Sequence, residues 1–348
     1  MKSRVKSKVI KLIPYGCFKI ILRLKEKIEL VRYYFGDASK YHIFLKSKAK
    51  KGGYKYGESS NDINVRWGEA FCDYNSGKKD KVINLMWTED PSPGNYGDWL
   101  SPYIISKIGD VDVKHVSGIN NTKEKHLIAL GSVIDCANDK SIVISAGISD
   151  KYAKLNKDAT YISVRGKYTA NLLEEQEGIS LKLFGDIGFL ISKVYKPKIK
   201  KNRNKILLVR HARQSFFDID IPFEYKEYSI FSAKPEDLEL FIDEIYNSEL
   251  VVTSAMHCFI TCVSYGIPCK LVTFGNDDIK VPGDGVKFLD SLSGVELPEL
   301  SPTKIHISKN MFEDIKEVPT YRNTIKEENL KDIEESIRLA IKLSPNCK

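Results

Sequence analysis

An asparagine, a glycine and an aspartate stand close together in Ser92-Pro-Gly-Asn-Tyr-Gly-Asp-Trp99, directly after the apolar run Val82–Trp87. That run reads as a buried strand, and the prolines and glycines after it force a loop. A segment with Leu100, Tyr103, Ile104 and Ile108 at helical spacing follows, read as a helix over Ser101–Ile108. Asn95, Gly97 and Asp98 therefore fall on a strand-to-helix loop at the carboxyl end of a strand, where open α/β sheets bind ligands. A carboxylate there can accept a proton or orient hydroxyls. It can equally cap the helix, since Asp is a favoured N-cap.

The same placement recurs with other chemistry. Arg165 ends the strand-like run Tyr161–Val164 and precedes Gly166-Lys-Tyr-Thr169, where a helix starts. A guanidinium there suits bidentate capture of a carboxylate or phosphate; the alternative is an interdomain or surface ion pair. His257 follows Glu249-Leu-Val-Val-Thr253 and opens an apolar helical segment. That puts it in a first helical turn, where free N–H groups and the dipole attract anions. An imidazole there can donate to phosphate or transfer a proton near neutral pH; it can also be a structural histidine. Arg210 and His211 end the strand Ile206–Val209, either facing the same cleft or solvated. Asp186, in Phe184-Gly-Asp-Ile-Gly188, closes another strand, and turn chemistry accounts for it nearly as well as a site does.

The elements that must position these residues form two series. The first has strands at Val82–Trp87, Lys114–Val116, His126–Gly131, Ser141–Ser145, Tyr161–Val164 and Lys182–Phe184, with helices at Ser101–Ile108 and Lys167–Glu177, the latter followed by Gly178 as a C-cap. The basic, proline-containing stretch Lys196–Asn204 reads as a linker. A second series follows: strands Ile206–Val209, Leu250–Thr253 and Lys270–Thr273, helices Lys234–Ile245 and His257–Tyr265, and a last helix Glu327–Leu343. Apolar strands alternating with helices imply parallel sheets covered on both faces. The expected architecture is α/β, two Rossmann-like domains facing across a cleft. The expected division is 1–80, a basic amphipathic segment and irregular region; 81–195 and 205–325, the two domains; and 326–348, a C-terminal helix and tail.

Charge narrows the function classes. The net charge is +8, and residues 1–32 carry ten Lys or Arg against two Glu, so the remainder is formally neutral. A nucleic-acid protein would normally carry its basic surface on folded domains. Interleaved with those charges are Val9, Ile10, Leu12, Phe18, Ile20 and Leu24. The segment can lie on an anionic membrane surface or pack on the protein's own core. Its apolar stretches are broken by Lys11, Pro14 and Lys19, which disfavours a secretory signal. Seven scattered cysteines fit a reducing, cytoplasmic setting. Cys258 and Cys262 lack a second pair at zinc spacing and read as core thiols. No metal constellation and no cofactor are expected.

Taken in order, these blocks resemble the polysaccharide pyruvyl transferases. Asn95-Tyr-Gly-Asp98 with Leu100 and Pro102 is similar to the family's first block. His126–Ser132 and Ser141–Ile148 are similar to its two central strands. Val164-Arg-Gly166 and Phe184-Gly-Asp186 follow, then Ser254-Ala-Met-His257 with Ser264-Tyr-Gly-Ile-Pro268. The resemblance covers about residues 82–275 and leaves residues 1–80 outside. Two departures stand out. Ser145-Ala-Gly147 replaces the usual Gly-x-Gly. Ala255-Met256 precedes His257 where Arg-Leu or Ser-Leu is common, and a missing arginine there weakens anion binding unless Arg210 or Arg213 substitutes.

The resemblance implies a glycosyltransferase GT-B-like fold. It also implies transfer of pyruvate from phosphoenolpyruvate to two hydroxyls of a sugar in a surface polysaccharide or its lipid-linked precursor, forming a cyclic ketal. Such chemistry assigns His257 and Asp98 to catalysis. Arg165, Arg210, His211 and Ser254 go to the donor, and Asn95 and Asp98 to the glycan acceptor. The implied partners are phosphoenolpyruvate, a glycan, and an anionic membrane touched through the N-terminus. A sugar-nucleotide glycosyltransferase and a non-catalytic glycan- or partner-binding protein remain alternatives.

Overall fold

The computed structural model describes residues 79–88, 95–116, 123–199, 206–214, 219–230, 235–275 and 283–347. The basic segment, the irregular region up to residue 78 and part of the 196–204 stretch lie outside the described residues, as does the side chain of Arg213.

The described chain is α/β, and its sheet pairings are parallel. Strands β1 (Val82–Met86), β2 (Asp112–His115), β3 (His126–Ile128), β4 (Ser141–Val143) and β5 (Thr160–Tyr161) form one sheet in the order β2-β1-β3-β4-β5. A two-stranded parallel piece joins β6 (Ser163–Val164) to β7 (Leu183–Phe184). The second sheet has β8 (Ile206–Val209), β9 (Tyr225–Glu227), β10 (Val251–Thr253), β11 (Cys269–Phe274) and β12 (Thr303–Ile305), in the order β12-β11-β10-β8-β9. The central strands β1, β3, β10 and β8 are almost wholly buried, because helices cover both faces of a parallel sheet.

The single strand expected at Tyr161–Val164 divides. Ile162 donates to Val143 O at 3.0 Å, the last bond to the first sheet, and Ser163 then pairs with β7 instead. The edge strands β9 and β12 escape a search for apolar runs because Lys226, Thr303 and Lys304 are exposed polar residues.

Eight helices complete the described residues: α1 (Tyr96–Gly109), α2 (Lys167–Glu177), α3 (Ile191–Val194), α4 (Pro235–Tyr246), α5 (Met256–Tyr265), α6 (Val286–Ser293), α7 (Met311–Glu317) and α8 (Glu327–Leu343). Helix α1 begins five residues before the expected Ser101. Pro102 suggests a first turn, which proline favours, yet it lies inside the helix. Gly178 and Gly266 close α2 and α5 in the left-handed region, as helix C-caps do.

Helix α1 reaches across to the second sheet's helices. Tyr96 packs against Phe241 of α4 with the rings tilted and their centroids 4.4 Å apart, and its hydroxyl meets Thr261 of α5 at 2.8 Å. Tyr103 donates to Glu239 of α4 at 2.7 Å. The chain also returns to the first sheet after leaving the second. Helix α6 packs on α2, and α8 packs on α1 and β7, burying Leu330, Ile333, Ile337 and Ala340. Past α8, Cys347 donates to Val82 O of β1 at 2.9 Å, and Val82 donates to Asn346 at 3.0 Å.

Candidate active site

Three chain turns meet at one place: the start of α1, the start of α5, and the 3-10 turn Ile187–Leu190 that follows β7. Each brings one of the residues singled out by chemistry. Asn95 is the N-cap of α1, its side-chain oxygen accepting from the N–H groups of Gly97 (2.9 Å) and Asp98 (3.4 Å). Asp98 therefore does not cap the helix. It stands in the first turn and accepts a bond from the Asn95 amide nitrogen.

His257 is the second residue of α5. Ala255, the N-cap, has no side-chain oxygen to offer, so no side chain caps this helix start. The imidazole lies against α1 so closely that a Cβ on Gly97 would sit 2.2 Å from Nδ1. Any side chain at 97 would push the ring out of this place. The ring's Cδ2 faces Gly188, 3.6 Å from where a Cβ would be. Its Nε2 points at Asp186, 3.7 Å from Oδ2.

Asp186 is fully buried, and its Oδ1 accepts the Gly188 N–H at 2.8 Å as cap of the 3-10 turn. Its Oδ2 has no hydrogen-bond partner, and neither has the buried His257 Nε2. At 3.7 Å the two atoms face each other beyond hydrogen-bond range, and they form an ion pair only when the ring is protonated. Each unsatisfied buried polar atom in a folded protein calls for an explanation. A facing pair of them marks this position as chemically distinct. The sequence contained Asp186 in its Gly-Asp block, but the pairing with His257, 71 residues on, arises only from the fold.

Ser254 and His211 join the ends of β10 and β8. Ser254 Oγ accepts the His211 N–H at 2.7 Å, and Thr253 Oγ1 donates to Val209 O at 2.8 Å. Ser254 is buried, while the His211 residue is half-buried.

The arginines are placed differently from the expectation of open donor clamps. Arg165 sits where the sequence puts it, just past β6, yet its side chain is 0% exposed. Its Nε donates to Asp290 at 2.8 Å, and the two terminal nitrogens donate to Ser132 Oγ at 2.8 Å and Ile148 O at 2.6 Å. Asp290 is further held by the Thr169 N–H and hydroxyl. A Cβ on Gly147 would sit 2.4 Å from the guanidinium carbon. Arg165 is thus a strut between α2 and α6. Position at a strand's end predicted its address but not its orientation. Arg210 likewise faces inward: it is nearly buried, pairs with Glu227 at 2.7 Å and donates to Gln214 O at 2.9 Å.

The Ser145 departure also acquires a physical reading. Ser145 has φ 53°, in the left-handed region that favours glycine, and Ala146 N–H closes a three-residue turn onto Ile144 O at 2.5 Å. Its buried hydroxyl has no partner. Cys258 and Cys262 are fully buried in α5, in keeping with core thiols.

Parallel sheets with candidate chemistry at strand-to-helix turns define an α/β protein. The polysaccharide pyruvyl transferase family pattern matches residues 12–273, and the chain belongs to that family. Membership carries a transferase role on polysaccharide. The match begins well before residue 82, so most of the region set outside the resemblance lies within it. An uncharacterized protein of Acanthamoeba polyphaga mimivirus is 26% identical over 247 residues, 65% of this chain and 80% of that protein. A crystal structure of a functionally uncharacterized Klebsiella pneumoniae protein matches 62% of this chain and 90% of its own, at 12% identity and a TM-score of 0.36.

Proposed function

We propose that this chain transfers pyruvate from phosphoenolpyruvate to two hydroxyls of one sugar in a surface polysaccharide or its precursor, with His257 as the acid–base residue. The observation that carries this reading is His257, set by Gly97 at the uncapped start of α5 with its Nε2 turned to Asp186. Family membership supplies the reaction class.

The chemistry makes definite demands. Carbon 3 of the enol gains a proton, which leaves a cationic centre at carbon 2. A sugar hydroxyl attacks that carbon and phosphate departs. A second hydroxyl then closes the ketal ring. His257 is assigned the proton for carbon 3. Asn95 and Asp98, beside it on α1, are assigned the sugar hydroxyls, with Asp98 as acceptor of a hydroxyl proton. The free N–H groups at the start of α5, with His211 and Ser254 at the neighbouring strand ends, are assigned to the donor's anionic groups. Arg165 and Arg210 belong to the scaffold in this reading because their guanidinium groups are engaged internally.

The arrangement proposed around this chemistry is GT-B-like, with residues 81–195 and 205–325 as the two Rossmann-like halves. A cytoplasmic enzyme touching the inner membrane face through residues 1–32 suits a lipid-linked acceptor. The concentration of the whole net charge there supports this. Among the described residues no helix is long and apolar enough to cross a membrane.

The deciding experiment incubates the protein with a glycan and either phosphoenolpyruvate or a sugar nucleotide. Release of phosphate with a ketal on the glycan supports pyruvyl transfer. Release of nucleotide establishes glycosyl transfer instead, and a glycan that is bound with release of neither is the outcome for a binding protein.

A further inference from the structure

We infer that Asp186 is a positioning residue that selects which nitrogen of His257 does the chemistry: Asp186 holds Nε2–H, and Nδ1 is the reacting atom. The inference rests on His257 acting as the acid–base group of the proposed reaction.

Three observations carry it. The Asp186 carboxylate is fully buried, and one of its oxygens is fixed by the Gly188 N–H at 2.8 Å. The other oxygen is left without a hydrogen bond and stands 3.7 Å from Nε2, which is itself buried and unpartnered. The opposite nitrogen, Nδ1, faces the first turn of α1, against the Cα of Gly97 where no side chain intervenes. One side of the ring therefore meets a fixed buried acceptor, and the other meets the turn bearing Asn95 and Asp98.

In the neutral ring a proton on Nε2 faces an anion, whereas a lone pair on Nε2 would face that anion's own lone pairs at short range. The tautomer with hydrogen on Nε2 is favoured accordingly. Nδ1 then carries the free lone pair. In the imidazolium both nitrogens carry hydrogen, and Nδ1–H is the acid. When that proton passes to carbon 3, the electron pair of the N–H bond stays on Nδ1. The neutral ring that results is already the tautomer Asp186 selects, and its Nδ1 lone pair is reloaded by the proton that the second sugar hydroxyl releases on ring closure, while the proton taken by Asp98 leaves with phosphate. A short closing movement brings 3.7 Å into hydrogen-bond range, and such bonds are often long before substrate binds.

Asp186→Asn separates this role from a merely structural one. The asparagine oxygen keeps the bond from Gly188 N–H, since Asn caps as well as Asp. That bond directs the new NH2 group at Nε2, where it donates and forces the proton onto Nδ1. The first measurement is the tautomer of neutral His257 by nitrogen-15 NMR in the wild-type protein without ligands. Nε2–H is expected, and Nδ1–H overturns the proposal. The second is the same spectrum of Asp186→Asn, expected to invert. The third is its turnover, expected to fall about 10²–10⁴-fold with KM for donor changed little, as when a triad carboxylate becomes an amide. An unchanged tautomer or a turnover within about threefold of wild type in a folded variant overturns it. The tautomers are read without substrate, so they stand even if phosphoenolpyruvate proves not to be the donor; turnover is then measured on whichever donor reacts.

Discussion

Arg165 and His257 occupy equivalent addresses. Each stands just past a short buried strand, where a helix begins, with a carboxylate brought from a distant part of the chain. Their environments are opposite. The carboxylate facing Arg165 is in contact at 2.8 Å, is held by two further donors, and leaves the guanidinium closed from solvent. The carboxylate facing His257 stops at 3.7 Å and leaves both facing atoms without a hydrogen bond. A complete network holds the fold in one state, because a buried charge has nothing to gain by moving. An incomplete one keeps a proton-carrying group in reserve. The satisfaction of hydrogen bonds, rather than position at a strand's end, is what distinguishes Arg165 from His257.

The widest test of this contrast is His257→Ala. It is expected to lower turnover by about 10²–10⁴-fold, the usual contribution of a general acid–base group, while thermal unfolding stays close to wild type. Phosphate release from phosphoenolpyruvate in the presence of acceptor measures it. A variant retaining more than roughly a tenth of the rate would move His257 to the scaffold side.

Arg165→Met should behave in the reverse manner. It leaves Asp290 buried without its cation, at a cost of about 3–5 kcal/mol in stability, read by denaturant unfolding. Apparent donor affinity is expected to hold wherever the variant is folded. A stable variant that binds donor poorly would return Arg165 to the site.

Gly97→Ala sharpens the boundary, since the added methyl group would sit 2.2 Å from His257 Nδ1 and the ring must turn away. A displacement of about 1 Å at a reacting group can cost on the order of 10²-fold in rate. The expectation is a large loss of kcat in a protein that still folds, and normal kcat would place Nδ1 away from the chemistry.

Ser145→Gly removes a non-glycine residue from the left-handed region together with an unpartnered buried hydroxyl. A gain of about 0.5–1 kcal/mol is expected, because such backbone strain costs on the order of 1–3 kcal/mol before glycine's own flexibility is counted. A melting temperature that falls would show that Ser145 is held by more than its backbone.

The smallest effect concerns Glu239, which receives the Tyr103 hydroxyl and stands 3.6 Å from Lys107. Burial, and secondarily Asp243, pushes its carboxyl from 4.5 up to about 7. A raised carboxyl favours the protonated form on folding. Its contribution is complete below about 4.5 and is lost as pH rises through about 7. Glu239→Gln should flatten the melting-temperature profile across that window, and an unaltered slope would remove Glu239 as its source.

Much of this molecule was legible in the chain. Strand Ile206–Val209 and helices Lys167–Glu177 and Glu327–Leu343 have the bounds read from periodicity, because burial on one side imposes a repeat that composition records. Asn95, Gly97 and His257 came together as their strand-edge addresses suggest. The orientation of Arg165 was not legible, since its partner Asp290 lies 125 residues away on a helix with no catalytic signature. The start of α1 was obscured by Pro102, whose usual place is a first turn. The pairing of Asp186 with His257 depends on a separation of a few ångströms, which no spacing along a chain encodes.

The docking of α8 on α1 and β7, with Cys347 bonded to Val82, has a consequence for how the protein is made. The ribosome releases the first sheet early and the helix that covers it only after the second sheet. Domains usually fold as units while the chain emerges, but here the faces that receive Leu330, Ile333 and Ile337 stay uncovered throughout synthesis of the second sheet. The nascent chain presents an unfinished apolar surface until α8 has emerged, so a chain cut short before α8 is a natural client for chaperones and proteases.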